Sequence, residues 1–189
     1  AEGLLGAGFA AAWTDPDRDG DLDLYVINDF GQDRNSQFFR NQGGSFASWP
    51  GCECALAMDG MGVAVGDFDG DEQVDFWVSD RFGKHLLRNN GGVFTDVTQT
   101  HGGIGGWQQE DLGTAWGPEF LDFDRDGLLD GVLAYGDEWA HVPAPDRLLR
   151  NVGGRFEQVE SGFDVEHDTR GVARLDFDGD GCEDLAFHG

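Results

Sequence analysis

With 189 residues, 39% of them hydrophobic and 12% aromatic, the chain is long and apolar enough for one globular domain with a core, which excludes a disordered acidic tail. Its 37 acidic residues against 12 basic ones give a formal charge of −25, which makes nucleic acid and anionic membrane poor partners and cations natural ones. No run of 18 apolar residues occurs, so no helical membrane insertion is expected, and the start at Ala1 reads as a processed form or a piece of a longer chain.

In chain order, a Gly- and Ala-rich strand over Phe9 to Trp13 leads into Asp15-Pro-Asp17-Arg-Asp19-Gly-Asp21-Leu-Asp23 and then a β-branched and aromatic strand, Leu24 to Ile27. After the connection Asp29 to Gln37, the apolar pair Phe38-Phe39 precedes Arg40-Asn-Gln-Gly-Gly-Ser-Phe46, whose Gly-Gly pair suits a tight hairpin. The pattern returns as strand Gly62 to Gly66, loop Asp67-Phe-Asp69-Gly-Asp71-Glu-Gln73-Val-Asp75, strand Phe76 to Ser79, and Leu86-Leu87 before Arg88-Asn-Asn-Gly-Gly-Val-Phe94.

A third copy follows the connection Phe94 to Trp116. It comprises strand Glu119 to Leu121, loop Asp122-Phe-Asp124-Arg-Asp126-Gly-Leu128-Leu-Asp130, and strand Val132 to Ala134. After the insert Tyr135 to Arg147 come Leu148-Leu149 and Arg150-Asn-Val-Gly-Gly-Arg-Phe156. The fourth copy has strand Gly171 to Leu175, loop Asp176-Phe-Asp178-Gly-Asp180-Gly-Cys182-Glu-Asp184 and strand Leu185 to Phe187. The loops start 52, 55 and 54 residues apart. Four short antiparallel strands per period of this length predict an all-β fold, a β-propeller of four-stranded antiparallel blades.

The expected blades cover approximately 1–50, 51–100, 101–160 and a partial 161–189 within one domain, 1–189. That is about three and a half blades, the ring being finished by further sequence or by another chain, or closing as four with a thin last blade. A parallel solenoid or a sandwich fits less well, because solenoid rungs are shorter and sandwiches repeat no loop motif. Pro118 tests the reading: proline in a first strand is tolerated only if that strand is a sheet edge.

Carboxylates at loop positions 1, 3, 5 and 9, with the carbonyl of position 7, can wrap one Ca²⁺, a hard ion that takes six to eight oxygens. This assigns four Ca²⁺ sites. They are Asp15, Asp17, Asp19 and Asp23 with Asp21; Asp67, Asp69, Asp71 and Asp75 with Gln73; Asp122, Asp124, Asp126 and Asp130 with Leu128; and Asp176, Asp178, Asp180 and Asp184 with Cys182. Gly20, Gly127 and Gly181 stand at position 6, where the chain turns sharply, whereas the second loop has Glu72 there. An EF-hand needs a bidentate Glu at position 12. Val26, Val78, Leu133 and Phe187 occupy it, which argues against that fold.

The Gly-rich strand, the Asp-x-Asp-x-Asp-Gly-x-x-Asp loop and Arg-Asn-x-Gly-Gly-x-Phe together resemble the FG-GAP and VCBS repeats. These form the blades of integrin α-chain propellers, of the cartilage acidic protein and of its bacterial relatives. Met61-Gly-Val-Ala-Val-Gly-Asp-Phe-Asp-Gly70 is especially like the bacterial members. The resemblance implies calcium on the loop aspartates, an extracellular, cell-surface or periplasmic setting, and a ring of more blades than this chain supplies.

No nucleophile elbow, His–Ser or His–Cys pairing, or phosphate loop stands out, so no catalytic residues are assigned. The expected role is a rigid binding or adhesion scaffold for protein or glycan. The alternatives are the propeller portion of a secreted carbohydrate-active enzyme such as a polysaccharide lyase, and a structural subunit whose open blade a partner completes. Trp13 and Trp77 are expected in the core, while Trp107, Trp116 and Trp139 fall in or beside the variable connections as candidate docking surfaces. Of Cys52, Cys54 and Cys182 one pair can form a disulfide, and the sequence leaves open which.

Overall fold

The computed structural model describes residues 6–31, 34–81, 83–101, 113–136, 144–160, 162 and 166–189. The first blade is β1 (Ala7–Thr14), β2 (Asp23–Asp29), β3 (Gln37–Asn41) and β4 (Phe46–Ser48), antiparallel and in sequential order. The second repeats it with β5 (Gly60–Gly66), β6 (Asp75–Asp80), β7 (Lys84–Asn90) and β8 (Val93–Asp96). The third runs β9 (Thr114–Leu121), β10 (Asp130–Gly136), then, beyond β11 (Ala144–Pro145), β12 (Arg147–Asn151) and β13 (Phe156–Val159). After β14 (Glu166–His167), which pairs with β11, the fourth sheet holds two strands, β15 (Gly171–Leu175) and β16 (Asp184–His188). Among the described residues the chain is therefore an all-β propeller segment with three four-stranded blades and a two-stranded fourth.

The first strands lie side by side, β1 against β5, β5 against β9, and β9 against β15. Glycine makes that approach possible. A Cβ on Gly62 would sit 2.6 Å from the Trp116 carbonyl and 2.8 Å from Pro118 Cδ, closer than real atoms come. Pro118 pairs with Leu133 on β9, the edge strand of its sheet, so its missing N–H costs no ladder bond.

The core sits between blades. Strand alternation sends Phe76 and Val78 of β6 toward the first blade, with Tyr25, Ile27 and Phe38, and Trp77 toward the third, with Phe120, Leu133 and Leu149. Truncating a side chain as large and enclosed as Trp77 costs about 3–5 kcal/mol in comparable cores. The third and fourth sheets share a thinner cluster of Leu121, Val132 and Leu148 with half-buried Val172, Leu185 and Phe187.

Several expectations need correction. Trp13 is not core: it is 57% exposed and meets Phe46 edge-on at 5.7 Å, because no described blade packs on the outer face of the first sheet. Trp116 belongs to β9, not to a connection; its indole N–H donates to the Gly136 carbonyl, and its ring meets Phe9 of β1 at 6.0 Å and Arg170 at 5.3 Å. Trp107 and Trp139 lie outside the described residues. The disulfide joins Cys52 and Cys54, both buried between the first two blades where the Tyr25 hydroxyl donates to the Cys54 carbonyl; Cys182 is free.

His85 on β7 lies 2.9 Å from Asp96 and 3.7 Å from Asp80. Burial alone would lower its pKa, but the hydrogen bonds and charge of the two carboxylates outweigh it and raise it to about 9. The stability gained from the charged ring is fully present below its ordinary value of about 6.5 and is lost as pH rises through 9. The gap in urea midpoint between the native protein and His85→Ala should therefore be wide near pH 6 and narrow near pH 10; an equal gap at both would remove the charge from the account.

Candidate metal centres

Each loop links the first and second strands of its blade, and all four adopt one backbone conformation. Position 4 has positive φ in every copy, at Arg18 (58°), Gly70 (77°), Arg125 (61°) and Gly179 (75°). So does position 6, at Gly20 (91°), Glu72 (67°), Gly127 (90°) and Gly181 (83°). The departure at Glu72 thus leaves the loop shape intact, at the cost of a left-handed non-glycine residue. No other atom comes within 4 Å of a Cβ placed on Gly127, so Gly127→Ala should cost only the conformational penalty, about 1 kcal/mol by urea unfolding. A loss of several kcal/mol would instead mean that the turn is clamped sterically.

The carboxylates curl inward because they cap their own loop. Position 1 accepts the N–H of position 6 in all four copies: Gly20 to Asp15, Glu72 to Asp67, Gly127 to Asp122 and Gly181 to Asp176. Position 5 accepts the N–H of position 7: Asp21 to Asp19, Gln73 to Asp71, Leu128 to Asp126 and Cys182 to Asp180. Oxygens of Asp15, Asp17 and Asp19 lie within 4.8 Å of one another, as do those of Asp67, Asp69 and Asp71, of Asp122, Asp124 and Asp130, and of Asp176, Asp178 and Asp184. Twelve of the sixteen predicted aspartates are thereby brought together in threes, and Asp23, Asp75, Asp126 and Asp180 stand outside these groupings. Two carboxylates ~4 Å apart repel by roughly 4 kcal/mol at an effective dielectric of 20, so each grouping favours a cation.

The other sequence motif supplies part of that positive charge. Arg40 pairs with Asp17 and, at 3.5 Å, Asp19; Arg88 with Asp69 at 2.6 Å and Asp71 at 3.0 Å; Arg150 with Asp124 at 2.6 Å. The sequence alone did not show this, although the recurrence of Arg-Asn after each of the first three loops was the available signal.

Position 9 has a second task. Asp23, Asp75 and Asp130 are fully buried, and the Oδ1 of each accepts the N–H of the motif asparagine, Asn41, Asn89 or Asn151, at 2.7–2.8 Å. Oδ2 accepts the N–H of position 2 from Phe68 to Asp75, from Phe123 to Asp130 and from Phe177 to Asp184. Position 2 of the first loop is Pro16, which has no N–H, and the Asp23 Oδ2 is buried without a hydrogen-bond partner. Burial raises the pKa of Asp23 and Asp130 and carries that of Asp75 to about 7, helped there by the nearby Asp69 and Asp71 charges and opposed by the two backbone donors.

At position 7 the side chains of Asp21 and Gln73 turn away to accept the N–H of Gly43 and Gly91 in the hairpin turns. Leu128 and Cys182 at the same position are half-buried, with the Cys182 sulfur against Arg125. A hard divalent ion fits the all-oxygen donor set of these groupings.

Residues 15–78, from the first Asp loop into β6, match the family model for the FG-GAP-like repeat. No curated protein matches the chain by sequence. Among solved structures, an Agrocybe aegerita lectin, described by its specific recognition of non-reducing terminal N-acetylglucosamine, is similar at 22% identity and a TM-score of 0.55. The likeness covers 93% of this chain and 45% of the lectin, so the chain spans less than half the length of that protein, and what the two share is the fold.

Proposed function

We propose that the chain is a calcium-loaded β-propeller module of the extracellular space, cell surface or periplasm that acts as a rigid binding scaffold rather than an enzyme. The observation that carries this reading is the fourfold recurrence of one loop backbone, left-handed at positions 4 and 6, with carboxylates gathered inside it. The ion would be held by the aspartates at positions 1, 3, 5 and 9 of each loop together with the carbonyl of position 7. Bound there, it supplies charge neutralisation and a fixed bridge between neighbouring strands. Four divalent ions would offset eight of the 25 net negative charges.

Antiparallel order puts the Asp loops and the Gly-Gly turns on one face of the ring. The more variable connections leave from the other face, where recognition on a rigid scaffold concentrates. The likeness to an N-acetylglucosamine-recognising lectin favours a glycan as the ligand class. A glycan array that includes terminal N-acetylglucosamine, probed in millimolar calcium and in chelator, tests the proposal. Binding that needs calcium supports it. Cleavage of an acidic polysaccharide by the same protein would replace it with the enzymatic alternative.

A further inference from the structure

Given calcium in the loops, the reading on which this inference rests, we propose that Arg40, Arg88 and Arg150 are resident counter-cations that compete with the ion. Each holds its loop's carboxylates when calcium is absent and loosens the grip on calcium when it is present. The arginines stand on the third strands, β3, β7 and β12, and the next residue of each fixes their register. The N–H of Asn41, Asn89 or Asn151 is accepted by the position 9 carboxylate of the same loop, and the side chains of Asn89 and Asn151 also donate to the Pro16 and Phe68 carbonyls of the preceding blade. Each guanidinium is thereby delivered to its own Asp loop.

The arginine and the ion draw on the same carboxylates. Both partners of Arg40, both partners of Arg88 and the closer partner of Arg150 belong to the oxygen groupings that fit a cation. The side chains at position 3 are mostly enclosed, 7% exposed at Asp17, 15% at Asp69 and 21% at Asp124, so water screens these pairs less than open surface ones. Two effects then oppose each other: an arginine could raise affinity by gathering the carboxylates, or lower it by repelling the ion. The fourth loop decides between them. It has the same left-handed positions at Gly179 and Gly181 and the same backbone caps, and it gathers Asp176, Asp178 and Asp184 with no arginine paired to Asp178 or Asp180 among the described residues. Backbone capping therefore suffices to shape a loop, and what an arginine adds is charge. A divalent and a monovalent cation ~6 Å apart repel, even in a water-like dielectric, by enough to change affinity about tenfold.

Calcium titration calorimetry on the full chain, wild type against a variant carrying Arg40→Gln, Arg88→Gln and Arg150→Gln together, tests this. Three of the four sites should tighten by roughly tenfold. In chelator the variant should unfold at a lower urea concentration than wild type, and saturating calcium should narrow that gap, because the coupling between the two cations is reciprocal. Arg88→Gln alone, at a side chain 38% exposed, should tighten one site, and it serves if the triple variant does not fold. Arg88→Lys keeps the charge but loses the guanidinium fork, and should bind calcium within about twofold of wild type. Equal or weaker calcium affinity in the glutamine variants overturns the proposal, as does a tightening by Arg88→Lys as large as that by Arg88→Gln. Wild-type protein that takes up no calcium by about 10 mM would reject the calcium reading itself, and the competition with it.

Discussion

Chelating calcium should lower the thermal unfolding midpoint by roughly 12–24 °C. At tenfold excess over a dissociation constant typical of extracellular sites, each bound ion adds about 1.4 kcal/mol, and four add ~6 kcal/mol. For a chain of this size 1 kcal/mol moves the midpoint by about 2–4 °C. Calorimetry with and without chelator measures it, and coincident midpoints would reject the ion. The chelated protein should also show an inverted pH response. The pKa of Asp75 is raised by burial to about 7, so its contribution to stability is fully present below the ordinary carboxylate range and is lost as pH rises through 7. Chelated protein should thus tolerate more urea near pH 5 than near pH 8, and Asp75→Asn should flatten that difference.

Asn151→Ala should cost about 4 kcal/mol in urea unfolding, whereas Asn41→Ala at the same motif position should cost about 1 kcal/mol. The Asn151 amide donates to the Phe68 carbonyl at 2.7 Å and the Leu129 carbonyl at 2.9 Å, and its oxygen accepts the Gly154 N–H at 2.8 Å. Two of these three bonds are buried, so alanine leaves buried partners unsatisfied with no water to replace the lost side chain. Asn41 makes the matching bonds to the Leu22 carbonyl and from the Gly44 N–H in the open, where water can substitute. Equal costs at the two positions would show that the bond to the preceding blade contributes nothing.

The repeat, the strands and the loops were legible in the sequence because their causes are local. A left-handed turn wants glycine at position 6, a hairpin wants Gly-Gly, and an inner strand wants small residues; each demand leaves its mark within a few positions. What was illegible depends on which blade lies next door. Trp13 on β1 and Trp77 on β6 both read as strand aromatics bound for the core, yet one faces solvent and the other the third blade. Asp23, Asp75 and Asp130 look like further ligands, and only the folded register shows them accepting from an asparagine 14 to 21 residues downstream. The short β11–β14 ladder joins segments with no shared pattern. Position 2 of the loops looks like a spacer, yet its N–H, or the lack of one at Pro16, decides whether the position 9 carboxylate is satisfied.

The asparagine bridges have a wider bearing. The carbonyl that Asn89 or Asn151 holds belongs to the residue between the first two carboxylates of the neighbour's loop, Pro16 between Asp15 and Asp17, or Phe68 between Asp67 and Asp69. Through these two bridges ordering one turn lowers the entropic cost of ordering the next, so the first three blades form a row of linked springs rather than independent units. Damage to one blade then spreads to its immediate neighbours, and order spreads along the row by the same links.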